Sequence, residues 1–248
     1  MSERMYKERK ANISAFRGCD FNCVYCAFSK MLKLSNCPMC RGFKPHSHME
    51  VLRRTPPRTK EGEFLTIGLS GDISYMDVND FYGVLDYCSK WGDRTFLIQS
   101  KNPGYFLQFA HRITPNIIIG TTIETNRLIT DISYGTTTCF YDRGDRDHGF
   151  DYISQAPSSK LRYEAMILYN GRKAVTIEPI LDFDTAVMSS WIINKIKPEL
   201  VWIGYDSLHK RNRLPEPLLA KTQEFIKRLD DAGVSVHQKL IRKAWYEQ

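Results

Sequence analysis

The chain has 248 residues, 42% hydrophobic and 25% charged, which excludes a disordered or fibrous protein and suits one α/β domain with a full core and room for a small insert. No run of about eighteen apolar residues occurs, and the charged stretch Met1–Lys10 lacks an apolar core. Neither a membrane span nor a secretory signal is expected, and a cytoplasmic location is. The formal charge of +7, with a pI near 9.0, fits a polyanionic partner and equally a solvated basic surface. Basic groups recur at Arg53, Arg54, Arg58 and Lys60, at Lys210, Arg211 and Arg213, and at Lys239, Arg242 and Lys243.

Short β-rich apolar runs alternate with helical patterns, the signature of a parallel α/β sheet. The first predicted strand is Asn12–Arg17; it leads into a cysteine-rich loop and a helix over Ala27–Leu34. Residues 36–60 break the alternation with a second cysteine pair, two histidines and Pro56-Pro57, and are predicted to be a metal-binding insert in a single domain. A strand Phe64–Ser70 ends at Gly71-Asp72, and Asp77 or Asn79 caps a helix running to Trp91. There follow the strand Thr95–Ser100, a helix Tyr105–His111 and the strand Asn116–Glu124. Residues 127–157 are irregular in pattern. The series resumes with a helix Ser158–Tyr169, the strand Ala174–Leu181, a helix Thr185–Lys197, the strand Leu200–Tyr205, a helix Glu216–Ala232 and a last strand Val234–Lys239. About six β/α units plus one strand are too few for a closed eight-fold barrel, so the predicted fold is an open, partial (β/α)6 barrel. Ligands are expected at the carboxyl ends of its strands.

Five of seven cysteines crowd into one stretch, which points to metal rather than to disulfides. Cys19, Cys23 and Cys26 form a C-x3-C-x2-C run directly after the first strand. Three close thiolates can wrap an iron–sulfur cluster and leave one iron open to a chelating cofactor. With the aromatic Tyr25 before the third cysteine, the run resembles the signature of the radical S-adenosylmethionine (SAM) superfamily. That resemblance implies a [4Fe–4S] cluster on these three cysteines, SAM on the open iron, hydrogen abstraction from a substrate, and a reductant such as flavodoxin or ferredoxin.

Polar residues recur where strands should finish. Ser70-Gly71-Asp72 resembles the superfamily's Gly-Gly-Glu motif, with Asp72 able to accept from an ammonium group. Lys101, Thr122, Glu124, Glu178 and Tyr205 are the remaining candidate cofactor contacts, each also readable as an ordinary solvated strand end. Cysteine loop, Ser-Gly-Asp, Gln99-Ser100-Lys101 and Ile177-Glu178-Pro179 together are similar to the branch holding the spore photoproduct lyases and phage-encoded relatives of unknown function. The lyases use a hydrogen-donating cysteine on a DNA thymine lesion. Cys88 falls mid-helix, and Cys139 is the weak candidate for such a role, so lyase activity does not transfer.

Cys37 and Cys40, followed by His46 and His48, make a second set. In an extended segment the two histidines share a side, and two thiolates with two imidazoles suit tetrahedral zinc. Phage relatives carry a similar Cys-Cys-Phe-Pro-His-His pattern, here Cys37, Cys40, Phe43, Pro45, His46 and His48. A structural zinc is the first expectation, an auxiliary cluster the second and reduced spectator cysteines the third; His48 could instead face the substrate. His111, His148, His209 and His237 are isolated, and Trp191 and Trp202 read as core.

The leading functional expectation is a radical SAM enzyme acting on a nucleic acid or nucleotide. The alternatives are a non-catalytic metal-binding module that grips nucleic acid, and an iron–sulfur electron-transfer protein with Cys37 or Cys40 as fourth ligand.

Overall fold

The computed structural model describes residues 5–31, 33, 35–127, 139–142 and 150–248. In its first half the elements are β1 (Arg9–Ile13), β2 (Phe16–Gly18), α1 (Phe28–Met31), α2 (Pro38–Arg41), β3 (His46–Ser47), β4 (Phe64–Ile67), β5 (Ser70–Gly71), α3 (Val78–Lys90), β6 (Phe96–Gln99), α4 (Gly104–Leu107) and β7 (Ile117–Thr122). The second half holds β8 (Cys139–Asp142), β9 (Phe150–Ser154), α5 (Ser159–Leu168), β10 (Arg172–Ile177), α6 (Thr185–Ser190), β11 (Leu200–Gly204), α7 (His209–Asn212), α8 (Leu219–Asp231) and β12 (Ser235–Lys239).

Seven strands form one curled parallel sheet in the order β1-β4-β6-β7-β10-β11-β12. This is the half-barrel expected from the alternating pattern. Two short sheets accompany it: β3-β2-β5, and the antiparallel pair β8-β9.

Strand parity sorts the side chains into two layers. Leu65, Ile67, Phe96, Ile98, Ile117, Ile119, Val175, Ile177, Val201 and Ile203 point outward and join one large core with the helices. α3 buries Phe81, Val84, Leu85 and Cys88 in it, and Asp77 caps that helix by accepting from Asn79 N–H. The concave face alternates with this set. Its lower layer is apolar: Phe64, Leu97, Ile118, Ala174 and Trp202 surround Tyr6. Tyr6 meets Trp202 edge to face, with ring centroids 4.8 Å apart. Higher up, the same face turns polar. The Tyr6 hydroxyl donates to Gln99 Oε1 at 2.7 Å, and Gln99 Nε2 donates to Thr122 Oγ1 at 3.0 Å.

Several expected elements are shorter or broken. The first strand is divided, because the chain turns at Ser14-Ala15 and Phe16–Gly18 leaves the main sheet to pair with β3 and β5. The helix expected over Tyr105–His111 is the single turn α4. The helix expected over Glu216–Ala232 starts at Leu219, and α6 continues as a π-helical turn, Trp191–Ile196, to Lys197, which sits in the left-handed region at φ 54°. The irregular stretch 127–157 includes β8 and β9, and most of its remainder lies outside the described residues.

Trp202 is 1% exposed and fills the floor of the concave face. Trp202→Ala is expected to cost about 3–5 kcal/mol of stability in urea unfolding; a loss below about 1 kcal/mol would mean that the floor is not packed as described.

Candidate active site

The cysteine loop begins where two backbones touch. β2 pairs with β5 so that Gly18 stands opposite Gly71, and a Cβ at Gly71 would lie 2.4 Å from Gly18 O. Gly18 itself has φ +84°, and a Cβ there would meet Lys44 O at 2.1 Å. Both positions therefore need glycine, for close approach and for the left-handed conformation. Cys19 N–H donates to Phe43 O at 3.1 Å, and Asp72 N–H donates to Gly18 O at 3.1 Å. The first cysteine is thus held from both sides by main chain.

The rest of the loop is tied to the segment after β8. Val24 N–H donates to Ile153 O at 3.0 Å, Gln155 N–H donates to Phe21 O at 2.7 Å, and Cys23 Sγ lies 3.0 Å from Ser154 Oγ. Cys19, Cys23 and Cys26 are all half-buried. Burial pushes the Cys19 thiol well up, and the charges of Asp72, Cys23 and Cys26 push in the same direction. A Cys19 thiol that resists ionisation alone, with Cys23 and Cys26 beside it, forms a site that a cation or cationic cluster would stabilise as thiolates.

Tyr25, inside the loop, reaches the strand ends. Its hydroxyl donates to Glu124 Oε1, Lys101 Nζ donates to the Tyr25 oxygen at 2.8 Å, and Lys101 also pairs with Glu124. Arg162 Nη1 donates to the other Glu124 oxygen at 2.7 Å and to Thr122 O at 2.6 Å. Burial would raise the Glu124 carboxyl, but Arg162 and Lys101 outweigh it and hold it down at about 2. Four of the groups singled out in the sequence, Tyr25, Lys101, Thr122 and Glu124, therefore come together. Arg162 was missed. It is 1% exposed although it lies on a helix, and its signal is positional: Arg162, Ala165, Met166 and Tyr169 recur at the spacing of a buried helix stripe.

Asp72 is heavily engaged as an acceptor. Its Oδ1 accepts from Ser74 N–H at 3.1 Å, Ser74 Oγ at 2.8 Å and Ser100 Oγ at 2.5 Å, and its Oδ2 accepts from Lys101 N–H at 2.7 Å. At 5% exposure this carboxylate is a strut that locks the end of β5 to the end of β6, with one lone pair on Oδ2 left over. Ser70 contributes its backbone to the ladder, opposite Arg17.

Glu178 and Tyr205 part company. Glu178 faces the concave side beyond Thr176, and Lys239 reaches it at 2.6 Å across the strand that separates them. Gly204 lies between the two, where a Cβ would come 3.5 Å from Glu178 Cδ and 3.4 Å from Lys239 Cβ. Glu178 Oε2 is buried with no hydrogen-bond partner among the described residues, and burial keeps this carboxyl above its ordinary range despite Lys239. Tyr205 has the opposite parity. Its hydroxyl lies 2.7 Å from Thr222 Oγ1 and donates to Pro217 O at 3.0 Å, under α8, so the structure does not bring it to the cofactor side. Cys139 opens β8 opposite Ser154; its side chain lies outside what the structure describes. Cys88 is buried in the core beneath α3.

Beside the loop, the ligand atoms of Cys37, Cys40, His46 and His48 all lie within 4.8 Å of one another and could hold a metal ion. The backbone N–H of Cys40 draws the Cys37 thiol down to about 7 against the effect of burial, helped by Met39 N–H and the His46 ring. No helix among the described residues is long and apolar enough to cross a membrane.

No family model and no curated protein matches the chain. Among solved structures it is similar to a cysteine-to-alanine variant of spore photoproduct lyase with dinucleoside spore photoproduct. That match has 8% identity and a TM-score of 0.58, covering 92% of this chain and 75% of the other. A tyrosine-to-phenylalanine variant of the same lyase matches with 8% identity and a TM-score of 0.57 over 93% and 76%. A third variant, with bound AdoMet and the dinucleoside, matches with 9% identity and a TM-score of 0.51 over 88% and 60%. At these identities the likeness is one of fold: a parallel α/β half-barrel.

The Glu124 geometry fixes a pH dependence. A carboxyl held at about 2 when folded and at 4.5 when free stabilises the fold above pH 4.5 and loses that contribution as pH falls towards 2. The contribution is on the order of 3 kcal/mol. Glu124→Gln is expected to unfold more easily than wild type in urea at pH 7, and the gap should narrow steadily between about pH 5 and pH 2. A gap independent of pH over that range would mean that the Arg162 and Lys101 pairing is absent.

Proposed function

We propose that the chain is a radical SAM enzyme whose substrate is a nucleic acid or nucleotide. One observation carries the chemistry. Three half-buried thiols share one loop at the carboxyl end of a parallel half-barrel, and the thiols of Cys37, Cys40 and Cys88 are placed elsewhere. Cys37 and Cys40 are engaged with His46, at 3.5 and 3.4 Å from its Nε2, and Cys88 is sealed in the core. That arrangement disfavours the electron-transfer reading, which needs Cys37 or Cys40 as fourth ligand.

In this reading Cys19, Cys23 and Cys26 hold a [4Fe–4S] cluster, and SAM occupies the remaining iron. When bound and reduced by a flavodoxin- or ferredoxin-like donor, the pair supplies a 5′-deoxyadenosyl radical that takes hydrogen from the substrate. The chain's own groups position and exclude. The Asp72 strut fixes the Ser70–Lys101 wall, and its remaining lone pair faces an incoming ammonium. Lys101, Tyr25, Glu124 and Arg162 form a rigid, buried polar wall that holds the loop to the barrel without moving during turnover. Glu178 offers the mouth an acceptor that the protein does not use, and Lys239 a neighbouring donor. Cys139 is retained as the candidate hydrogen donor, since its strand lies opposite Ser154, which touches Cys23. The lyase reaction itself is not proposed.

Support for the substrate class comes from charge placement and from the neighbours. Lys210, Arg211 and Arg213 follow β11, and Lys243 follows β12, so these exposed groups sit at the carboxyl end with the cysteine loop. The solved neighbours carry a dinucleoside. The setting we infer is cytoplasmic, and the phage-encoded relatives that share the Cys-Cys-Phe-Pro-His-His pattern would be its kin.

Anaerobic reconstitution should load about four iron atoms per chain with a band near roughly 400 nm, and dithionite with SAM should then yield 5′-deoxyadenosine. Cys19→Ala/Cys23→Ala/Cys26→Ala should give neither product nor band, and a wild type that makes none would overturn the enzymatic reading in favour of a binding module. For the substrate class, Lys210→Glu/Arg211→Glu/Arg213→Glu should weaken oligonucleotide binding at least about tenfold and flatten its salt dependence by two to three units of slope, roughly one per lost phosphate contact. Unchanged affinity and slope would remove nucleic acid from the proposal.

A further inference from the structure

The set Cys37, Cys40, His46 and His48 plays no part in the chemistry above, yet it is the most completely built donor cluster among the described residues. Cys37 Sγ and Cys40 Sγ lie 3.5 and 3.4 Å from His46 Nε2, and Cys40 Sγ lies 3.5 Å from His48 Nε2. A tetrahedral zinc with bonds of about 2.3 Å to sulfur and about 2.0 Å to nitrogen has ligand–ligand edges of roughly 3.3–3.8 Å. These three sulfur–nitrogen edges fall inside that range, the two imidazole nitrogens stand closer at 2.8 Å, and all four ligand atoms lie within 4.8 Å of one another. Four donors converging this tightly suit one ion rather than a cluster of several irons.

The second contacts of the histidines point the same way. His46 Nδ1 lies 2.7 Å from Lys44 O, and His48 Nδ1 lies 3.2 Å from Glu50 Oε1. A carbonyl can only accept, so His46 donates from Nδ1, the geometry that presents Nε2 to a metal. A carboxylate does the same for His48. Metal-bound imidazoles are held in this way, by a backbone carbonyl or a carboxylate on the outer nitrogen.

The cluster is joined directly to the first cysteine of the loop. Arg17 Nη1 donates to Cys40 Sγ at 3.7 Å, and Arg17 stands opposite His46 in the β2–β3 ladder. Phe43 and Lys44 lie between Cys40 and His46 in the chain; Phe43 O accepts from Cys19 N–H, and Lys44 O closes over Gly18. Phe43 is bent into the left-handed region at φ 53°, which a non-glycine residue adopts only when its surroundings impose it.

We propose that Cys37, Cys40, His46 and His48 bind one zinc ion, and that this ion fixes the Phe43–Lys44 turn on which Cys19 is seated. Zinc is the clamp of the iron-binding loop rather than part of its chemistry. The second half rests on the reading of Cys19 as an iron ligand; the first half does not.

The test separates the two. Cys19→Ala/Cys23→Ala/Cys26→Ala protein, which has no iron site, is loaded with cobalt(II) and then titrated with zinc. One equivalent of cobalt should give thiolate charge-transfer and tetrahedral ligand-field bands, and one equivalent of zinc should abolish them. Absence of those bands, or a stoichiometry other than one, overturns the zinc site whatever the iron loop does. In the otherwise intact chain, Cys37→Ser/Cys40→Ser should lose zinc and retain iron after reconstitution at least several-fold less well. To separate zinc loss from misfolding, His48→Ala and chelation of zinc from wild-type protein are measured beside it, with circular dichroism as the check on folding. Zinc loss with full iron retention in a folded chain overturns the clamp. A chain that binds zinc but never iron leaves the first half standing and defeats the enzymatic reading instead.

Discussion

Backbone packing between Gly18 and Gly71 sets where Cys19 stands, and the rest of the site is arranged around it. A side chain at either position would collide with main chain, which cannot yield as a flexible side chain can. Because β2 leaves the main sheet to make this contact, the cysteine loop is carried by a small separate sheet that also includes β3 and β5. The loop is therefore anchored on one flank by the strand bearing Ser70-Gly71 and on the other by the turn between Cys40 and His46. Its position depends on neither helix packing nor the sheet's curvature alone.

The second constraint is electrostatic. Glu124 is 4% exposed and shares its two oxygens among Tyr25, Lys101 and Arg162. Its pairing with Arg162 and Lys101 outweighs the cost of burying the carboxylate. What it supplies is position: any rotation of the Glu124 carboxyl leaves a charge unpaired away from water. Tyr25 thereby ties the cysteine loop to the end of β7, and Arg162 ties α5 to the same carboxylate. Glu178 and Lys239 form a smaller version on β10 and β12, but with one carboxylate oxygen unpaired. The closed triad reads as framework and the open pair as the place where something else can bind.

The barrel was legible because apolar strands and helical stripes differ in period, and the parallel order follows from their alternation. Tyr25 and Glu124 were legible as well, one from its place in the cysteine run and one from its place at a strand end. Tyr205 shows the limit of reasoning from strand ends. Two polar residues can each close a strand, yet parity sends Glu178 to the concave face and Tyr205 beneath α8. Asp72 was legible as an acceptor, but its structural load was not, since the donors that saturate Oδ1, Ser74 and Ser100, are partly distant in sequence. Arg162 escaped because an arginine in an amphipathic helix is usually solvated; only its place on the stripe of Ala165 and Met166 marks it as buried. The β8–β9 pair was obscured by the Gly- and Asp-rich residues between its strands.

The central claim is that three cysteines, and no fourth protein ligand, hold a cluster with one iron open to SAM. Electron paramagnetic resonance of the reduced, reconstituted protein tests it most directly. Adding SAM should shift the g-values of the cluster signal, and SAM labelled with a magnetic nucleus in its amino or carboxylate group should show hyperfine coupling to that signal. A spectrum that SAM leaves unchanged, or a centre with no iron signal at all, would contradict the account.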